Sequence, residues 1–399
     1  MIHANRILLS MGTRPEIIKM MPVYFALKER GANPILLHTG QHSDMAEELY
    51  DLFDIKPDYS LSLQRDGASK ASDLADLSSA LLRQSSEVIN ACKPDVVLVH
   101  GDTSSALMVA LAAFYGQCAI GHIEAGLRSY NEYNPFPEEK NRVLIGRLAH
   151  WHFAPTARAA ENLTAEGIAE NQIHIVGNTI VGATHLGAQH LQTYRARKSL
   201  GGTDDLVSKL EKRAAINKLV LVTAHRRENH ELHIRTIANS VREMLLTYPD
   251  ITVVWPVHPN PKVKQQVYAE LADLPPSAAL RLYLTNPLSY PVLLWILKNS
   301  WLVMTDSGGI QEEAVALQTP VLVLRDTTER PEVIETGAGK LIGTQKKNIL
   351  KEFANLYNSP AKHRAMTTAK NPFGDKNAAG RIADLLLGNS SLTETKHYA

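Results

Sequence analysis

Across the 399 residues, the side chains able to move protons or hold an anion fall directly after apolar runs of strand length. Asp102 follows "DVVLVHG", Glu124 follows "CAIGHI", His225 and Arg226 follow "LVLVTA", and His258 follows "ITVVWPV". Arg14 lies in "GTRPE" after "RILLSM", Lys19 lies one helical turn beyond Pro15, and Gln41 and His42 lie in "TGQH" after "NPILLH". Ser307 follows "WLVM" and precedes Gly308 and Gly309, where the helix-forming stretch "IQEEAVAL" begins. Carboxylates and imidazoles at such places are candidate general acids and bases. A serine and two glycines at a helix start leave bare amide N–H groups aimed at an anion, usually phosphate. A nucleophilic Ser307 would need a histidine and a carboxylate oriented around it, and no local signature supplies them. A phosphate cradle and a plain helix cap are the two readings of that stretch.

Each of these residues also has an ordinary structural explanation. Asp102 in "GDTSS" is either a cap or a chemical group, with Ser104 the better capping candidate. Glu124 in "HIEAGLR" needs a partner so close to an apolar strand: either Arg128, in a purely structural pair, or a ligand. Glu138 and Glu139 follow Pro137 in a first helical turn, where the helix dipole accounts for one acid. His225 in "TAHRREN" is a satisfied core histidine or part of a polar site with its neighbouring arginines. "TGAGKLIG" at Thr336–Gly343 lacks the preceding strand and the spacing of a nucleotide motif, and reads as a loop. His150 and His152 share a strand face but have no third ligand, so no metal site is assigned there.

The elements that must position these groups alternate. Short, nearly all-apolar runs rich in β-branched residues, as in strands buried on both faces of a parallel sheet, are separated by longer helical patterns. The fold class is α/β in the doubly wound style. The pattern restarts after a helical, charged connection over Val181–Asn217. Two Rossmann-like domains follow: residues 1–180, joined by a C-terminal helix within 372–390, and residues 181–371. Open α/β sheets bind ligands at the carboxyl edge of their strands, so two such sheets facing each other make a central cleft. Charge is balanced, 42 Lys+Arg against 41 Asp+Glu, which argues against broad nucleic-acid or membrane-surface binding. Cys92 and Cys118 have neither metal-like nor redox spacing, which fits a reducing cytoplasm. The N-terminal apolar run is too short for a signal peptide, and later apolar runs are far below bilayer length. Arg14, Lys19 and Arg330 with a Gly-rich helix start suit a diphosphate. Asp102, Glu124, Glu138 and His225 opposite them suit proton transfer, which together suggests a nucleotide sugar.

The stretches "GTRPEIIKM", "TGQH", "HGDTSSAL", "GHIEAGLRS", "PFPEEKNR", "HFAPT", "VGNT", "TAHRREN", "PVHPNP", "TDSGGIQEEA", "RDTTERPE" and "NPFGD" run in order from Gly12 to Asp375. In them the chain resembles the bacterial, non-hydrolysing UDP-N-acetylglucosamine 2-epimerases. That resemblance implies the glycosyltransferase-B architecture, with the second domain binding UDP. It also implies reversible conversion of UDP-N-acetylglucosamine to UDP-N-acetylmannosamine, for cell-surface polysaccharide synthesis. UDP is eliminated and re-added through a 2-acetamidoglucal, with no cofactor. By position, Asp102, Glu124 and Glu138 match the family's acid/base carboxylates and His225 its essential histidine. Arg14, Lys19, Arg142, Ser307, Gly308, Gly309, Glu313 and Arg330 match UDP-sugar contacts, with Glu313 on the ribose. Leu288 and Leu293 fall at the uracil, where an aromatic residue often takes the latter position. Gln41, His42 and His258 match a second site at which some members bind UDP-N-acetylglucosamine as an allosteric activator. The adjacent "LSLQRDGASKASDL" departs from the usual pattern. A cytoplasmic homodimer is expected, with no nucleic-acid or membrane partner. The alternatives are a hydrolysing epimerase releasing N-acetylmannosamine and UDP, a glycosyltransferase of the same architecture, and a nucleotide-sugar-binding regulator without catalysis.

Overall fold

A computed structural model describes residues 6–40, 43–63, 70–133, 135–197, 203–224, 233–328 and 330–388. They fall into two compact units. One comprises the chain up to Leu186 together with the chain from Phe373 onward, and the other comprises Gly187–Pro372. The boundary lies within the helix Thr179–Arg197.

The first unit is built on a seven-stranded sheet in the order β3-β2-β1-β4-β5-β6-β7. Its strands are β1 (Ile7–Met11), β2 (Ile35–His38), β3 (Tyr59–Ser60), β4 (Val96–His100), β5 (Ala119–Ile123), β6 (Trp151–Ala154) and β7 (Ile173–Ile175). All pair in parallel. β1, β4 and β5 are buried along their whole length, which is why they read as continuous apolar runs rather than alternating ones. Chain order reverses between β1 and β4, so their carboxyl ends flank the crevice in which doubly wound sheets bind ligands. The helix Ala378–Leu387 returns to this unit, where Arg30 Nε donates to Asp384 Oδ1 at 2.7 Å.

The second unit carries a six-stranded parallel sheet in the order β10-β9-β8-β11-β12-β13. Its strands are β8 (Lys218–Thr223), β9 (Ile251–Pro256), β10 (Leu282–Thr285), β11 (Leu302–Thr305), β12 (Val321–Val323) and β13 (Gly339–Leu341). Here the order reverses between β8 and β11, and the Thr223 and Thr305 hydroxyls meet at 2.6 Å across that point. One edge strand differs from expectation, and another has no counterpart in the sequence reading. β13 lies inside "TGAGKLIG", which reads as a loop because it is only three residues long and begins with glycine. A Cβ at Gly339 would stand 2.6 Å from Val333 Cγ1, so packing demands that glycine. β3 is two residues long and too short to show a period. No helix among the described residues is long and apolar enough to cross a membrane.

Candidate active site at the carboxyl edge of the first sheet

Glu124 follows β5 in the left-handed backbone region, with φ +63°. Few side chains other than Asn, Asp or Gly adopt that conformation readily. Its Oε2 is crowded: Lys19 Nζ pairs with it directly, His100 Nε2 stands 3.5 Å away, and Asn178 Nδ2 donates to it at 3.5 Å. Oε1 makes no hydrogen bond to another described residue. Burial works to raise this carboxyl, but the Lys19 charge and His100 outweigh it and hold it well below the usual carboxylate range. Arg128 is not its partner. That guanidinium grips Glu166 through Nε at 2.6 Å and Nη2 at 2.8 Å. Lys19 therefore lies with the acids rather than opposite them. It is buried on the inner side of the Arg14–Glu29 helix, where a charge needs a countercharge within reach.

Asp102 lies two residues beyond β4. Its Oδ2 accepts from Arg142 Nη2, and its backbone carbonyl accepts from Asn141 Nδ2 at 2.9 Å. The capping role in "GDTSS" belongs to Thr103, not Ser104. Thr103 Oγ1 accepts from the Ala106 amide at 3.0 Å and donates to Glu16 Oε1 at 2.5 Å. Glu16 is buried and takes the Gly12 and Thr13 amides, each at 2.7 Å, on its other oxygen. One carboxylate thus ties the turn after β1, which carries Arg14, to the turn after β4, which carries Asp102.

The two acids of "PFPEEKNR" separate cleanly. Glu139 is buried, accepts the Ser129 amide at 3.0 Å and the Tyr130 amide at 2.9 Å, and pairs with Arg142 Nη1 at 3.1 Å. Glu138, the first residue of the helix Glu138–Leu148, is half-buried and makes no hydrogen bond or ion pair with another described residue. Arg142 bridges Asp102 and Glu139, so it fixes both the helix and the catalytic candidate beside it.

In the second unit Ser307 caps the helix Gly308–Ala316, its Oγ accepting from the Ile310 amide at 3.5 Å. Among the described residues, neither Gly308 nor Gly309 has an atom within 4 Å of where a Cβ would stand. Packing among the described residues does not explain these glycines. Arg330 Nε donates to Glu312 Oε1 at 2.5 Å, while Glu313 is buried on the same helix. Leu293 is buried in the helix Tyr290–Asn299, and Leu288 is half-buried just before it. His258 Nδ1 accepts from the Asn260 amide at 3.2 Å. His225, Gln41 and His42 lie outside the described residues. His150 Nδ1 accepts from the Ile120 amide at 3.1 Å on the exposed side, whereas His152 is fully buried, so the two histidines of "HWH" share no site.

Several residues that touch this site carried no functional signal in sequence. Glu16 was detectable as the last residue of a Thr-x-x-Glu capping box. His100, His122 and Asn178 stand in the stretches "HGDTSSAL", "GHIEAGLRS" and "VGNT", but nothing in their residue types assigns them a role.

Fold and site together define a two-unit, doubly wound α/β protein with anchored carboxylates at the carboxyl edge of its first sheet. A family model described as UDP-N-acetylglucosamine 2-epimerase matches residues 26–387. The UDP-N-acetylglucosamine 2-epimerase of Campylobacter jejuni is 41% identical over 387 residues, covering 96% of this chain and 97% of that protein. The crystal structure of the UDP-N-acetylglucosamine 2-epimerase of Neisseria meningitidis, bound to UDP-N-acetylglucosamine, has a TM-score of 0.81 at 38% identity, covering 96% of this chain and 100% of that one. That of Methanocaldococcus jannaschii, in complex with UDP-N-acetylglucosamine and UDP, gives 0.72 at 32% identity, covering 96% and 99%. The chain belongs to the UDP-N-acetylglucosamine 2-epimerase family.

Proposed function

We propose that the chain interconverts UDP-N-acetylglucosamine and UDP-N-acetylmannosamine without net hydrolysis, by eliminating UDP and re-adding it to a 2-acetamidoglucal. The observation that carries this reading is the pair of half-anchored carboxylates. Glu124 has one oxygen held by Lys19 and Asn178, with His100 Nε2 3.5 Å away, and Asp102 has one held by Arg142. In each the second oxygen makes no hydrogen bond to a described residue. A carboxylate fixed through one oxygen and open at the other is oriented for proton transfer. With Glu138 also unpaired among the described residues, three acids stand ready, enough to serve both faces of a sugar C2. Ser307, Gly308 and Gly309 supply the amide-rich helix start that suits a departing diphosphate. The product feeds glycosyl transfers that build cell-surface polysaccharide.

The test is incubation of either epimer in deuterated water. The expected outcome is one common mixture of the two UDP-sugars, C2 deuterium in the product, and no accumulation of free UDP. Stoichiometric UDP release would assign the hydrolysing reaction instead. Retention of the original C2 hydrogen would reject elimination.

A further inference from the structure

Gly101 makes two hydrogen bonds that join the turn after β4 to the end of β5. Its amide donates to the Ile123 carbonyl at 2.9 Å, and its own carbonyl oxygen stands 2.7 Å from His122 Nε2. A carbonyl oxygen only accepts, so the ring proton sits on Nε2. His122 Nδ1 is buried and has no hydrogen-bond partner among the described residues. The ring is 1% exposed, and burial pushes it down to about 3, so it stays neutral near pH 7. The residue after Gly101 is Asp102, and the residue after Ile123 is Glu124. Gly101 is in the left-handed region at φ +66°, with no atom of the described residues within 4 Å of a Cβ position. Gly101 has no side chain to pack, so its peptide is oriented by these two hydrogen bonds, alongside the Asn141 and Arg142 bonds to Asp102 itself. One comes from backbone and is available to any sequence. The other depends on residue 122.

We propose that His122 is a positioning residue: by donating to the Gly101 carbonyl it fixes the peptide that carries Asp102, and with it the placement of Asp102 relative to Glu124. This rests on the acid/base reading of the two carboxylates given above. An imidazole that merely filled core volume would be replaceable by phenylalanine, which has the size but no donor. Glutamine has a donor at about the reach of Nε2.

The experiment compares wild type, His122→Phe and His122→Gln in the epimerisation assay. In His122→Phe, kcat should fall about 10- to 100-fold, as a displacement near 1 Å of a reacting group does, while KM stays within about 3-fold. His122→Gln should recover to within about 5-fold of wild type. Full activity in His122→Phe, or a His122→Gln as slow as His122→Phe, would overturn the proposal. Neutron diffraction from the wild-type protein gives a readout that needs neither variant to fold: a deuteron on Nε2 is expected, and a deuteron on Nδ1 alone would overturn it. A wild-type protein that does not epimerise would instead overturn the functional reading beneath it, which separates the two failures.

Discussion

Lys19 and Glu124, 105 residues apart in the chain, meet as a direct ion pair at the carboxyl edge of the first sheet. Removing the cation as Lys19→Met leaves burial to act on Glu124 against only His100 and the Asn178 hydrogen bond, so its carboxyl rises. If Glu124 works ionised, the acidic limb of the kcat–pH profile should move to higher pH. A depressed carboxyl stabilises the fold above its ordinary value, 4.5, and loses that contribution as pH falls through its lowered one. Stability at pH 7 should fall by about 3 kcal/mol in urea unfolding, the cost of leaving a buried charge unpaired. An unmoved acidic limb would assign the proton transfer elsewhere.

Glu138 and Glu139 are adjacent yet should respond oppositely. Glu138→Gln removes a carboxylate without a partner among the described residues, so stability should change by less than about 0.5 kcal/mol. Turnover should drop by about 10² to 10⁴ if the group transfers a proton. Glu139→Gln disturbs the Ser129 and Tyr130 amides and Arg142 together, and should cost about 1 to 3 kcal/mol of stability. Thermal unfolding and single-turnover kinetics on the two variants check both halves.

Ser307 can be tested for capping and anion binding separately. Ser307→Ala should lower stability by about 1 kcal/mol, whereas Ser307→Gly, which keeps an acceptable cap, should lower it by a few tenths. Both remove the hydroxyl, and both should weaken UDP by about 1 to 2 kcal/mol in calorimetry. A Ser307→Gly protein with wild-type UDP affinity would reduce the residue to a helix cap.

His122 and His152 are held neutral by burial, at about 3 and about 4, against 6.5 for a free imidazole. Below pH 6.5 the unfolded chain takes up protons that the folded one refuses, so stability falls as the pH drops towards 4. Each ring contributes up to about 1.4 kcal/mol per pH unit. Both His152 ring nitrogens lack a hydrogen-bond partner among the described residues. His152→Phe should therefore flatten the acid side of the stability curve by one proton without loss at pH 7. An unchanged slope in urea titrations between pH 4 and pH 6.5 would show that His152 is protonated in the folded state.

What was legible in the sequence follows from what each feature depends on. Strands buried on both faces must be apolar throughout, so β1, β4, β5, β8, β9 and β11 announce themselves, and so does the alternation that makes the fold doubly wound. Turns after such strands concentrate polar residues, which puts Asp102 and Glu124 at strand ends. Partner choice was not legible. Glu124 lies four residues from Arg128 but pairs with Lys19, because the sheet order leaves only β4 between β1 and β5 while Arg128 turns away to Glu166. Thr103 rather than Ser104 caps the helix Ser104–Tyr115, a one-residue distinction that depends on backbone angles rather than residue type. β3 and β13 exist only because a neighbouring strand is there to pair with them.

The backbone at Glu124 carries a further implication for anyone who would toughen this protein. A left-handed glutamate costs roughly 1 kcal/mol against glycine, and a buried ion pair is often replaceable by apolar packing with no loss or a gain of about 1 to 4 kcal/mol. Randomising positions 19 and 124 and selecting by heat should converge on an aliphatic residue at the first and glycine at the second. The survivors would be sturdier than the parent and inert, because the fold retains this strained, charged corner at the expense of its own durability.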